Sequence, residues 1–187
     1  DEITVLDAEF ELSALHKAKV KRFVVRMADN CTARLNQLPK AKEKGRPSEY
    51  GMKVRPLPRT YNKNTIDATP AQKQGSFEFE KRTIRYESWT GLVTSQSKVS
   101  DDNPTFTIHV FYDPLYKTPL VVATDLSLSA ELIYQVYRDR WPVEHPPLAT
   151  KQMIGLHRQF VFADESCFRL PELGLLAGNL LSHTAAL

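Results

Sequence analysis

The chain has 187 residues, 42% of them hydrophobic and 25% charged, which is enough for one domain with a substantial core. No apolar run approaches the roughly 18 residues of a membrane span, and no basic-then-apolar leader is visible, so neither a membrane protein nor a secreted precursor is expected. Cys31 and Cys167 lack a C-x-x-C or other metal spacing and read as two free thiols in a reducing cytoplasm. The net charge of +3 is unevenly spread: between Asn36 and Asn64 stand Lys40, Lys42, Lys44, Lys53, Lys63, Arg46, Arg55 and Arg59, opposed by Glu43 and Glu49. Such a stretch is either an electrostatic footprint for phosphates or a solvated loop.

In chain order, Ile3 to Leu6 is a short apolar run that predicts a buried strand. Phe10, Leu12, Leu15 and Ala18 give a helical stripe with Ser13 near its start. Arg22 to Met27 reads as a second strand, and the compact crossover between the two predicts a parallel β-α-β unit. A domain that opens directly on a strand, without an initiator Met, is expected to be the C-terminal portion of something longer. Pro39, Pro47, Pro56 and Pro58 then break regular structure through the basic stretch.

Period-2 patterns follow. Phe77, Phe79 and Lys81 alternate with Glu78, Glu80 and Arg82, and Ile84, Tyr86 and Ser88 continue the pattern. Phe106, Ile108, Val110 and Tyr112 share one face of a further strand, with Thr105, Thr107, His109 and Phe111 on the other, and Leu120 to Ala123 is one more. With polar turns between them, these runs predict an antiparallel sheet. After Ser129 the period becomes helical through Leu132, Ile133, Val136, Tyr137 and Arg140, and a last apolar helix is expected from about Glu172 to Ala186. The order predicts an α/β core (residues 1–35), a basic loop (36–75), a β-rich insertion (76–124) and a helical return to the core (125–187).

Two groups of residues carry candidate chemistry. Tyr137, Arg140 and Glu144 fall at i, i+3 and i+7, on one helical face, and Lys151 follows. A carboxylate flanked by cations could hold a metal beside an anionic backbone, or simply form surface ion pairs. Asp7 directly follows the first strand, where a carboxylate either caps the next helix or sits at the carboxyl edge of a parallel sheet, the edge at which α/β ligand sites gather.

The spacing Y-x2-R-x3-E-x6-K within YRDRWPVEHPPLATK arises by chance in on the order of one chain in a thousand. It resembles the C-terminal motif of DDE-type bacterial insertion-sequence transposases. ITVLDAEFELSALHKAKVKRFVVRM looks like the strand bearing that family's second Asp, and VVATDLSLSAELIYQVYRDRW looks like the approach to its motif helix. The resemblance implies a ribonuclease H-like (retroviral-integrase-like) core, partial here and interrupted by a β-rich insertion. It implies Asp7 and Glu144 as the second and third catalytic carboxylates, ligating Mg²⁺ or Mn²⁺, with the first carboxylate on an earlier strand that this chain lacks. Tyr137, Arg140 and Lys151 would contact DNA phosphates, joined by Lys40, Lys42 and Lys44 of the basic loop. The implied partners are double-stranded DNA, the inverted repeats at transposon ends and a second copy of the chain, in the bacterial cytoplasm at the nucleoid. The alternatives are a remnant that folds or binds DNA without chemistry, and a ribonuclease H-like nuclease of another kind.

The turn after Asp7 reads Ala-Glu-Phe and lacks the family's usual Gly. Pro146 and Pro147 predict a kink or restart of the helix before Lys151. Trp89 reads as a half-buried strand residue, with base stacking as the sharper alternative. Trp141 is expected to pack the helix on the sheet. His109, His145 and His157 show no ligand spacing, Arg158 is a weaker DNA candidate, and Asp125, at the end of the strand before the motif helix, is in the wrong place to replace a missing carboxylate.

Overall fold

A computed structural model describes residues 2–40 and 48–140, together with Glu172, Leu173, Leu176, Ala177 and Leu180. Two compact units divide at Val136 and Tyr137. The first is a mixed α/β unit in which a sheet dominates and helices are few.

Its opening is the expected β-α-β unit. Strand β1 (Thr4–Leu6) pairs in parallel with β2 (Phe23–Arg26), in the register Thr4–Phe23, Val5–Val24 and Leu6–Val25. Helix α1 (Leu12–Lys17) crosses between them and buries Leu12 and Leu15. It is shorter than the apolar stripe predicts. Glu11 is the N-cap, Ser13 donates its hydroxyl to the Glu11 carboxylate, and Phe10 is left exposed ahead of the helix. β1 is also less buried than expected, because it is an end strand of the sheet and Thr4 is exposed.

Short strands β3 (Ala33–Leu35) and β4 (Lys53–Val54) flank the basic segment, which also contains a hairpin of β5 (Arg59–Tyr61) and β6 (Asn64–Ile66). The hairpin turns on Asn62 and Lys63, both with positive φ. Four longer strands follow: β7 (Lys73–Phe79), β8 (Arg82–Thr94), β9 (Phe106–Tyr112) and β10 (Leu120–Thr124). The main sheet runs β1-β2-β10-β9-β8-β3-β4, with β7 pairing the first half of β8 on the edge that β3 pairs at its end. The strands of the β-rich segment therefore continue the sheet that β1 and β2 begin, since β10 pairs antiparallel with β2. A bulge between Trp89 and Leu92 bends β8, and Gly91 within it has a φ of +64°, a backbone conformation that side chains resist.

Strand alternation gives the sheet two buried faces. Phe23, Val25, Trp89, Ile108, Val110, Val121 and Ala123 form one core with Leu12 and Leu15 of α1. Helix α2 (Ala130–Asp139) brings Tyr134 to the other face, against Phe77, Phe79 and Phe111 at ring separations of 5.2 to 5.6 Å. Ser129 caps α2, its hydroxyl accepting the Leu132 N–H at 3.2 Å. Leu132 itself is exposed, while Ile133, Tyr134 and Tyr137 are buried. In the second unit, the described residues of the expected final helix, Glu172 to Leu180, are helical. Among the described residues no helix is long and apolar enough to cross a membrane.

Candidate functional site

Asp7 follows β1 directly, at the carboxyl end of the parallel pair. Its Oδ1 accepts the Ala8 N–H at 2.7 Å, and its backbone carbonyl accepts the Phe10 N–H at 3.2 Å, so the residue starts the turn into α1. The side chain stays 45% exposed, with the Arg26 guanidinium at 4.0 Å. Asp7 therefore organises the turn into α1 and does so at the carboxyl end of the parallel pair.

Tyr137 and Arg140 belong to the second unit and are described there by themselves. Tyr137 lies in the last turns of α2, and Arg140 directly follows the helix, its N–H donating to the Tyr137 carbonyl at 3.3 Å. The Arg140 guanidinium sits over the Tyr137 ring at 5.3 Å from its centre, so the i, i+3 spacing does bring them together. Glu144 and Lys151 lie outside the described residues, as do Lys42, Lys44, Trp141, His145, His157, Arg158 and Cys167. Lys40 is exposed.

Asp125 stands at the other end of β2 from Asp7, because β10 runs antiparallel to β2. Its two oxygens accept the backbone N–H groups of Arg22 and Phe23, each at 2.9 Å. The ends of β2 are roughly 10 Å apart at about 3.3 Å per residue, so the two carboxylates cannot share an ion. Among the described residues no group of three His, Cys, Asp or Glu side chains is placed to hold a metal. A carboxylate is a donor of the kind hard divalent cations prefer, and a divalent ion at Asp7 would need ligands beyond those the described residues place there.

Trp89 is 1% exposed and its indole N–H donates to the Pro70 carbonyl at 2.9 Å, which makes it a core residue and removes it from base stacking.

Two buried polar groups escaped the reading of the sequence. Ser88 and His109 are register partners on β8 and β9, with Oγ and Nδ1 2.7 Å apart. Burial, with a smaller contribution from the Lys73 ammonium, pushes the His109 imidazole down to about 4, so it is neutral at pH 7. The second group centres on Asp113, whose carboxylate accepts the Tyr134 hydroxyl at 2.6 Å and the Leu115 N–H at 2.9 Å and faces Arg82 Nε at 3.4 Å. Cys31, by contrast, is an inert thiol: burial and the Asp29 carboxylate push it up to about 11. The sequence signal for Ser88 and His109 was the alternation that puts each on a known face of its strand. The register that makes them partners is not readable from alternation.

Compared with known protein families, with curated proteins and with solved structures, the chain matches none.

Proposed function

We propose that this chain is the C-terminal part of the catalytic domain of a DDE-type insertion-sequence transposase, with a ribonuclease H-like core. One observation carries the reading. A half-exposed carboxylate, Asp7, ends the outer strand of a parallel pair, in a chain that later carries the Tyr137, Arg140, Glu144 and Lys151 spacing. The outer edge of β1 has no partner strand among the described residues, and the resemblance puts the first carboxylate on an earlier strand. In the full site Asp7 and Glu144 would ligate Mg²⁺ or Mn²⁺ together with that carboxylate. The ions would supply an activated water or 3′ hydroxyl and stabilise the leaving oxygen of the scissile phosphate. Arg140 would grip DNA phosphate as a fork and Lys151 as a point charge, with Tyr137, Lys40, Lys42 and Lys44 adding backbone contacts. The DNA would be the inverted repeats of a mobile element, held by a dimer at the bacterial nucleoid.

The test begins with the genomic DNA on both sides of the coding region. An in-frame upstream strand ending in Asp, with inverted repeats beyond, supports the reading. A stop or frameshift just before Asp1 and no such strand would overturn it in favour of a decayed copy limited to binding. The isolated chain is expected not to nick inverted-repeat DNA with Mg²⁺, because two carboxylates do not make the three-ligand site. Robust nicking that is abolished by Glu144→Gln would refute that argument.

A further inference from the structure

The sheet face under α2 contains a cleft of about 400 Å³ that the transposase reading leaves unused. Lys73, Ser88, His109, Asp125 and the residues that open α2, Ser129 and Ala130, all line it. Its volume lies within the roughly 300–1,000 Å³ of small-molecule sites.

The protonation of the Ser88–His109 pair follows from what each atom can do. Ser88 is 2% exposed, and His109 Nδ1 is the acceptor its hydroxyl reaches among the described residues. With that hydroxyl donating, Nδ1 is the acceptor and the ring proton resides on Nε2. The hydrogen bond of His109 among the described residues is at Nδ1, which leaves Nε2 unbonded there, although His109 is only 7% exposed. Nε2 is therefore an N–H donor at the cleft wall, held in place by Ser88.

Two more sources of positive potential line the same space. The Lys73 ammonium is close enough to His109 to oppose its protonation. In the first turn of α2, Ser129 takes the Leu132 and Ile133 N–H groups, while those of Ala130 and Glu131 have no intrahelical acceptor. Asp125 is the one acid among the lining residues, and its oxygens are already bonded to Arg22 and Phe23. Donors thus converge on the cleft without a competing free carboxylate.

We propose that this cleft seats a phosphate group, carried either by a mononucleotide or by a DNA strand. The His109 Nε2–H, the Lys73 ammonium and the first amides of α2 are its donors. The proposal does not rest on a metal at Asp7.

The test is a nitrogen-15 NMR titration of the whole chain with inorganic phosphate, thymidine monophosphate and a short oligothymidylate. Shifts at His109 Nε2 and at the Ala130 and Glu131 amides are expected. Tighter binding of the mononucleotide would identify a free nucleotide as the source, and tighter binding of the oligonucleotide a strand. Lys73→Ala should weaken binding on the order of five-fold, while Lys81→Ala, in the exposed β7–β8 turn, should not. Ser88→Ala should weaken it too, by releasing the ring, and the spectrum itself reports whether that variant is folded. No shift at His109 at millimolar phosphate or mononucleotide would overturn the proposal, and so would binding unchanged by Lys73→Ala. Oligonucleotide binding that leaves His109 silent would also overturn it, without touching the reading of Asp7.

Discussion

The two faces of the sheet are both buried, but by different chemistry. The fully buried residues of the face toward α1 are hydrophobic, with Val25, Trp89, Ile108, Val110 and Val121 at its centre. The opposite face shares the same strands and also carries Val24, Val122 and Phe111, yet it holds Ser88, His109 and Thr124 as well. Each of these three is bonded: Ser88 to His109, and Thr124 Oγ1 to the Phe23 carbonyl at 2.7 Å. A polar side chain buried without a partner is costly, so a polar face persists only where register supplies partners. One side of the sheet therefore holds the fold together, and the other fixes polar atoms in defined positions around a cleft.

If that contrast is right, the faces respond differently to mutation and pH. Trp89→Ala should cost about 3–5 kcal/mol, as expected for an indole lost from a close-packed core. Urea denaturation should show the loss to be nearly independent of pH, since the indole N–H bonds a backbone carbonyl and no titrating group among the described residues pairs with the ring. His109 should give the face its pH dependence. Its folded value near 4 lies below the ordinary 6.5. Between those values the unfolded chain binds a proton that the folded chain does not, so stability is full above pH 6.5 and falls as pH drops toward 4. The loss is on the order of 3 kcal/mol at 1.36 kcal/mol per pH unit. Urea midpoints followed from pH 7 to pH 4 should fall more steeply for the natural chain than for His109→Gln. Equal slopes would mean that the imidazole is not held neutral by burial.

Tyr134→Phe sharpens the comparison at a smaller scale. It keeps the ring contacts with Phe77, Phe79 and Phe111 and removes only the hydroxyl that donates to buried Asp113. A hydrogen bond to a charged acceptor is worth about 2 kcal/mol, and that loss in urea unfolding is expected. A neutral result would mean that the remaining partners of the carboxylate, Arg82 and the Leu115 N–H among them, satisfy it without the hydroxyl.

How legible this was depended on which signals are local. The β-α-β opening, the faces of β9 and the helical period after Ser129 followed from the spacing of apolar residues, because burial imposes that spacing directly. The β7–β8 hairpin was hidden: Phe77 through Tyr86 reads as one alternating run, while the chain reverses at Glu80 and Lys81, both with positive φ. Such turns favour Asn and Gly, and here charged residues take their place. Asn62-Lys63 concealed the β5–β6 hairpin within a segment that prolines marked as loop. The candidate site was legible as a motif and only partly as geometry. Asp7 is where the strand pattern put it and Arg140 meets Tyr137 as their spacing implies, whereas Glu144 and Lys151 lie outside the described residues. The Ser88–His109 pair was illegible, because pairing depends on strand register across 21 residues.

The smallest stability effect is expected at Asp7, and that is why it is informative. Asp125 and Asp7 mark the two ends of β2, and Asp125 accepts the backbone N–H groups of Arg22 and Phe23 from across the sheet, while Asp7 accepts the N–H of its own neighbour, Ala8. Asp7→Asn keeps an Oδ1 acceptor for Ala8 and weakens an exposed ion pair with Arg26 at 4.0 Å, an interaction of little value at a surface. The unfolding free energy should therefore change by no more than about 0.5 kcal/mol. Mn²⁺ binding, followed by water proton relaxation, should fall at the same time, because an amide is a poorer ligand than a carboxylate for a hard cation. A variant that loses stability and keeps its Mn²⁺ response would make Asp7 a structural residue like Asp125. A variant that stays stable and loses the response would leave Asp7 as a carboxylate that the fold presents without needing it.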